Sequence, residues 1–182
     1  MDIFCFRRPP RRLLADILKR ERPRNFPENL HVIDPVAQVW RSGQPVMGDR
    51  PTVAELGFRS VLSLRNHHSD RKLLRGTGVR EYRMRFHLPS EAEMIEALRI
   101  VLKAEKPLLI HCWHGSDRTG SVAVGYRVVV NHWSFADAMR EFRTPSYGHH
   151  QRLYWALPHV LASYDWKRVA EAVYADSASD FE

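Results

Sequence analysis

Residues 106–111, KPLLIH, carry three consecutive apolar side chains between the proline and the histidine, so a strand there is apolar on both of its faces. Such a strand is buried on both faces if it is central in its sheet, and strands concentrated in the first half with helices in the second imply one mixed α/β sheet flanked by helices. The next residues fix the local topology. Cys112 to Arg118 form a short stretch containing Gly115, and from Arg118 the pattern turns helical to about His132. The expected order is central strand, loop, helix N-terminus.

The rest of the chain supplies partners for that strand. LHVID (30–34), AQVWRS (37–42), RSVLSLR (59–65) and REYRMRF (80–86) read as strands. In the last of these, Tyr82, Met84 and Phe86 alternate with Glu81, Arg83 and Arg85. GDRPTVAELGF reads as a short helix with Asp49 as cap and Gly57 as stop. The polar run from Asn66 to Asp70 leads into another short helix that GTG (76–78) breaks. Ser90 with Glu93 forms a capping box before the apolar stripe Met94, Ile95, Leu98, Val101, Leu102, and Ser134 with Asp137 opens a further helix in the same way. A last helix is expected within 149–170, kinked or split at Pro158. The expected fold is a single mixed central β-sheet flanked by helices, without internal repeats.

At 182 residues the chain is read as one domain, 30–170, between a basic arm (1–29) with a short helix around Leu13–Lys19 and a disordered acidic tail (171–182). The formal charge of +7 is unevenly spread. Residues 1–24 hold eight Arg/Lys against three acidic residues, which leaves 20 basic against 18 acidic residues in the remainder. A nearly neutral globular part argues against a nucleic-acid partner, while the arm has the charge to touch an anionic membrane. No apolar h-region follows the arginines and no apolar run approaches the ~18 residues of a membrane span, so a cytoplasmic protein is expected. Cys5 and Cys112 cannot make a disulfide framework, and Cys5 is given no role. The pairs His67–His68 and His149–His150 lack a companion at ligand spacing, so neither a metal nor any other cofactor is expected.

The loop itself points to phosphate chemistry. At a helix N-terminus, unpaired N–H groups and the positive end of the dipole favour an anion. Gly115 lets the loop curl so that successive amides face one centre, and Arg118 adds a planar fork that matches two phosphate oxygens. A cysteine at the base of that cradle is set up as a thiolate for in-line attack on a phosphoryl group, with a phosphocysteine intermediate. The hydroxyl of Thr119 is placed to hydrogen-bond the sulfur as it leaves. Trp113, His114 and Ser116 complete the loop, and Arg65 is a candidate for a cationic rim with Arg83, Arg85 and His87.

His-Cys-x-x-Gly-x-x-Arg-Thr-Gly resembles the signature of the cysteine-dependent protein-tyrosine and dual-specificity phosphatase superfamily. WRSGQP (40–45), LGFRSVLSLR (56–65) and NHWSFADAMREF (131–142) resemble stretches of its small bacterial and fungal members. The position of Cys112, well inside the chain, is unlike the low-molecular-weight phosphatases. The resemblance implies a dual-specificity-phosphatase-like fold, a phosphorylated protein or an inositol phosphate or phosphoinositide as substrate, and a role for His111 as a buried group that orients the loop.

One part of the family pattern is missing. Most members carry an aspartate some thirty residues before the cysteine, as the acid that protonates the leaving oxygen; here no aspartate occurs between Arg71 and Ser116. Asp117, directly before Arg118, resembles the loop aspartate of myotubularins and related bacterial phosphatases and is the first candidate for that acid. Glu91 is the second, although a place in the first turn of a helix already accounts for it. Trp113 stands where several inositol-phosphate-acting relatives have a basic residue. Two other readings remain open: an RNA 5′-triphosphatase, which HCWHG resembles, and a catalytically silent phosphate-binding module.

Overall fold

The computed structural model describes residues 27–150 and 153–175. The helix expected around Leu13–Lys19, the rest of the basic arm up to residue 26, and Cys5 lie outside the described residues. Five strands form one sheet: β1 (His31–Asp34), β2 (Val39–Ser42), β3 (Ser60–Ser63), β4 (Arg80–Arg83) and β5 (Leu108–His111). Their spatial order is β1-β2-β5-β3-β4, with β1 antiparallel to β2 and all other pairs parallel. The apolar run of 106–111 is therefore the middle strand, in register with β2 on one side (Ser42 beside His111) and β3 on the other (Ser63 beside His111).

Two cores explain why both faces of these strands are apolar. Leu108 and Ile110 of β5, Leu62 of β3 and Val39 of β2 point into the larger core. Leu109, Val61 and Trp40 from the same strands point into the smaller one, with Val53, Phe58, Leu73 and Leu74. Each fully buried leucine or isoleucine contributes about 1.5–3 kcal/mol of hydrophobic stabilisation, so β5 cannot slip by one residue without exchanging its two sets of contacts. The smaller core is covered by α1 (Arg50–Glu55) and α2 (Arg71–Leu74). The larger one is covered by α3 (Glu91–Lys103), α4 (Asp117–Val129), α5 (Phe135–Phe142), α6 (Leu157–Ala162) and α7 (Trp166–Ala175).

α4 carries the loop's C-terminal end. It is buried nearly all round, with Val122, Ala123, Val124, Tyr126 and Val129 inside, and so shows no clear polar face. Its small residues permit this: a Cβ on Gly120 would lie 2.7 Å from the Phe142 ring of α5. At the outer end of the sheet, Asp34 accepts from Val36 N–H (2.9 Å), Ala37 N–H (2.8 Å) and the Tyr126 hydroxyl (3.0 Å), which ties the β1–β2 turn to α4.

Several local expectations are met and others are revised. The Ser90–Glu93 capping box forms, with Glu93 accepting from Ser90 N–H at 2.7 Å. Ser134 accepts from Asp137 N–H, but the Asp137 carboxylate takes the Ser134 hydroxyl instead of its amide. Asp49 closes a 3-10 turn by accepting from Val46 N–H at 2.8 Å, one turn before α1. Pro158 does not kink a helix; it stands in the first turn of α6, where the missing N–H costs nothing, and a separate helix follows. That helix, α7, continues to Ala175, five residues past the expected domain limit of 170, because Val169 and Val173 bury one helical face. β4 is a half-exposed edge strand whose ladder stops at Arg83, though Met84 and Phe86 remain buried beyond it.

Candidate active site

The chain leaves β5 at His111 and enters α4 at Asp117, as expected, and the loop between them wraps around the Cys112 thiol. Cys112 is 2% exposed, and its Sγ accepts the Gly115 N–H at 3.3 Å. Gly115 holds φ +73°, and a Cβ there would lie 2.4 Å from the Ser42 carbonyl carbon. Only glycine meets both demands, the left-handed backbone and the close approach to the end of β2.

Four successive loop carbonyls are held from outside. Trp113 O accepts Gln44 N–H (2.9 Å), His114 O accepts Asn29 Nδ2 (2.9 Å), and the Arg41 guanidinium donates through Nη2 to Gly115 O (2.7 Å) and Ser116 O (3.1 Å). With its carbonyls turned outward, the loop is left with its amides facing the thiol. That is the arrangement an oxyanion cradle requires. Arg118 closes the cradle: its Nη1 donates to Leu64 O at 3.0 Å, while its buried Nε has no partner among the described residues. The hydroxyl of Thr119, fully buried at the start of α4, is likewise unpartnered. Buried donors left in this state are suited to the oxygens of an anion and to the sulfur.

Beneath the cysteine lies a buried pair. His111, 0% exposed, places Nε2 2.6 Å from Asp70 Oδ2, and its Nδ1 lies 3.1 Å from the Cys112 carbonyl. This matches the loop-orienting role expected of His111. Asp70 is 1% exposed, and its backbone N–H donates to Glu81 Oε1 at 2.5 Å. Burial opposes the charge on Asp70, but the hydrogen bond and positive field of His111, with His68 3.2 Å away, outweigh it and hold the carboxyl below its ordinary range.

At the mouth, Trp113 is 58% exposed and the Arg65 guanidinium stacks on its ring, 4.1 Å from the centroid. Arg65 also donates to Gln44 Oε1. Partial burial, and then the positive charge of Arg118, hold Arg65 below its ordinary value. Arg83, Arg85 and His87 are exposed; Arg83 lies beside Glu81 at 4.0 Å, and His87 beside the Tyr154 ring at 5.9 Å.

Asp117 is 3% exposed and is turned away from solvent. Its Oδ1 accepts from His149 Nδ1 (2.7 Å) and from His150 N–H (2.9 Å), and its Oδ2 from His150 Nδ1 (2.7 Å). His149 is packed on the Phe142 ring, whereas His150 stays about a third exposed and lies 4.7 Å from the ring of His114. Burial first, then the neighbouring His150, lower the basicity of His114. With Asn29, Ser116 and Tyr147, these two histidines line a groove of about 340 Å³. The second candidate acid, Glu91, is occupied elsewhere: its carboxylate accepts from Asp165 N–H at 2.8 Å and from Arg168, bracing α3 against α7.

Sequence reasoning placed Cys112, Gly115, Ser116, Asp117, Arg118 and Thr119 in one loop and Arg65 and Trp113 at its edge, and the structure brings them together. It missed Asn29, Arg41, Gln44, Asp70, His149 and His150. WRSGQP held the available signal, since an arginine inside an otherwise apolar strand needs a buried acceptor.

Known proteins similar to this chain are phosphatases. The chain is 31% identical over 158 residues to the dual specificity protein phosphatase TpbA of Pseudomonas aeruginosa, an alignment that covers 84% of this chain and 71% of that protein. It is 33% identical over 117 residues to the inositol diphosphatase DSP1 of Oryza sativa, covering 58% of this chain and 52% of that one. The crystal structure of P. aeruginosa TpbA superposes with a TM-score of 0.72 at 25% identity, over 84% of this chain and 99% of that one. The catalytic core of the Saccharomyces cerevisiae PP-IP phosphatase SIW14 shares the fold, with a TM-score of 0.69 at 24% identity over 84% of this chain and 94% of that one. No helix among the described residues is long and apolar enough to cross a membrane. The description of the tyrosine phosphatase family fits residues 25–157, which span both the strands that hold the loop and the histidines that hold Asp117: the chain belongs to that family and is a phosphatase.

Proposed function

We propose that the protein hydrolyses phosphomonoesters through a phosphocysteine formed on Cys112, with phosphotyrosine as the favoured substrate class. The observation that carries the first part is the outward lock on the carbonyls of Trp113, His114, Gly115 and Ser116, which leaves an amide-lined cradle over a buried thiol. In this reading the Cys112 sulfur attacks phosphorus in line as the ester oxygen leaves. The loop amides and Arg118 hold the equatorial oxygens, and water then cleaves the S–P bond to release phosphate. Thr119 hydrogen-bonds the departing sulfur. Asp117 and His150 act as one proton-holding unit, the carboxylate fixing the imidazole 2.7 Å away, and this unit protonates the leaving oxygen.

The preference for an aryl ester rests on Trp113, an exposed aromatic wall backed by Arg65, where a more highly charged substrate calls for a cation. A second reading, an inositol phosphate or diphosphate, is favoured by the cationic Arg65 at the mouth of the loop and by the relative from Oryza sativa. A phosphate-release panel tests both: phosphotyrosine and phosphoserine peptides, phosphoinositides, soluble inositol phosphates and triphosphate-ended RNA, with Cys112→Ser as the blank. Turnover that survives in Cys112→Ser refutes the mechanism. A kcat/KM higher for soluble inositol phosphates than for phosphotyrosine peptides refutes the substrate preference. For the proton unit, Asp117→Asn should flatten the basic limb of the pH–rate profile and slow an alkyl phosphate by about 10²-fold or more, and an aryl phosphate far less. Unchanged turnover of the alkyl phosphate rules it out.

A further inference from the structure

We propose that Arg41 is the positioning residue of the phosphate cradle: a buried guanidinium that bridges the Gly115 and Ser116 carbonyls from behind and so aims the loop's amides at the phosphoryl group. The inference rests on the reading of Cys112 as nucleophile. Arg41 is the third residue of β2, the neighbour of β5, and is only 2% exposed. A charge in that position is costly, and burial does hold this guanidinium below its ordinary basicity. Among the described residues no carboxylate pairs with it. Its Nη2 is spent on two carbonyls of the cradle, and the plane of the group lies 4.4 Å from the centroid of the Tyr147 ring. The carboxylates that could have neutralised it, Asp117 and Glu141, belong to other partners: Asp117 to the two histidines and Glu141 to Arg127 at 2.7 and 2.8 Å.

The geometry explains why a cation occurs here and not a neutral donor. Gly115 and Ser116 are adjacent, and one guanidinium nitrogen draws both of their carbonyl oxygens to one spot. Left alone, successive peptide dipoles repel in that arrangement, and a positive charge behind them removes the repulsion. The Ser116 carbonyl is also the first acceptor of α4, taking Gly120 N–H at 2.9 Å, so the same guanidinium sets where the helix begins. Gly120 is shaped around it: a Cβ there would come within 3.3 Å of Arg41 Nη2. Fixed amides cost no reorganisation when charge builds on the equatorial oxygens, and so Arg41 favours the transition state over the bound ester.

The test uses the full-length protein with Arg41→Lys and Arg41→Met, read by kcat and KM on para-nitrophenyl phosphate, by inhibition with vanadate, and by the pH dependence of Cys112 alkylation followed on its own peptide. Arg127→Met serves as a structural control, because it breaks an ion pair between α4 and α5 without touching the loop. Arg41→Met should lower kcat by about 10²-fold with a smaller change in KM, weaken vanadate in parallel, and move the alkylation midpoint to higher pH. Arg41→Lys, which keeps the charge but offers no planar fork, should recover only part of the loss. Should Arg41→Met fail to fold, Arg41→Lys carries the same three readings. The inference is overturned if a folded Arg41 variant keeps kcat and vanadate affinity within about threefold of the parent, or if Arg127→Met reproduces the same changes. Activity surviving in Cys112→Ser would instead bring down the nucleophile assignment, a result that no Arg41 variant can mimic.

Discussion

Replacing Gly115 by alanine adds one methyl group at the point where the phosphate loop meets β2. An alanine Cβ would sit 2.4 Å from the Ser42 carbonyl carbon and 2.5 Å from both Ser42 O and Gly43 N, where ordinary contacts begin at 3.4 Å. The two backbones must therefore part by about 1 Å. The end of β2 cannot retreat, because Ser42 is paired beside His111 in the ladder and Gly43 N–H donates to Glu28 O at 2.7 Å. The loop moves instead. A φ of +73° adds about 1–2 kcal/mol of strain for alanine, and overpacking adds about 1–3 kcal/mol, so a loss of about 2–5 kcal/mol in folding stability is expected. The catalytic cost is set by distance: the Gly115 amide lies 3.3 Å from Cys112 Sγ, and a shift of about 1 Å at a reacting centre costs on the order of 10²-fold in rate. Urea unfolding and kcat/KM on para-nitrophenyl phosphate measure the two effects separately. Gly48→Ala, where nothing lies within 4 Å of the added carbon, is the neutral reference. If Gly115→Ala loses stability but keeps kcat/KM within about threefold of the parent, contact with β2 does not set the cradle and the reasoning fails.

Two further substitutions probe ionisation. Asp70→Asn removes the buried carboxylate that contacts His111 Nε2 at 2.6 Å and should cost about 1–3 kcal/mol at neutral pH. The carboxyl titrates lower in the folded protein than its ordinary 3.8, so its contribution is complete above that pH and is lost as pH falls through the folded value. Denaturant curves of parent and variant should accordingly converge in acid; a gap that stays constant with pH contradicts the assignment. Lys106, which donates to Ala104 O at 2.7 Å and to Val101 O, is pushed by burial from 10.5 to about 8. Between these values the unfolded chain binds more protons, so this group makes stability rise with pH there, and Lys106→Met should remove that rise relative to the parent. Parallel pH profiles for the two proteins would refute it.

Much of the architecture was legible because it depends on local patterns. The apolar KPLLIH run identified the central strand, and Ser90 and Ser134 marked the starts of two helices, because capping acts within one turn. The loop was legible for the same reason, with thiol, glycine and arginine all within seven residues. The illegible parts join distant segments. Nothing near Asp117 announces that His149 and His150, thirty-two and thirty-three positions later, will take both of its oxygens. Asp70 looked like one more residue of a polar turn, yet it is buried and bonded to His111, the residue before Cys112, because its partner is forty-one residues away. Pro158 misled for a different reason. A proline breaks a helix from within but begins one comfortably, and sequence alone does not say which turn it occupies.

The outward lock on the loop also has a temporal side. Its bonds run from Asn29 to His114 and Tyr147, and from Arg41 to Gly115, spans of 85, 118 and 74 residues. Contacts so far apart in the chain are among the last that a folding polypeptide can close. A ribosome releasing this chain would expose Cys112 long before residues 144–150 arrive to complete its surroundings. Until then the thiol lies in an open segment, without aligned amides or a guanidinium behind them. On the proposed reading of Cys112 as nucleophile, its surroundings are complete only when the fold is complete, and a nascent or partly unfolded copy carries the cysteine without its cradle.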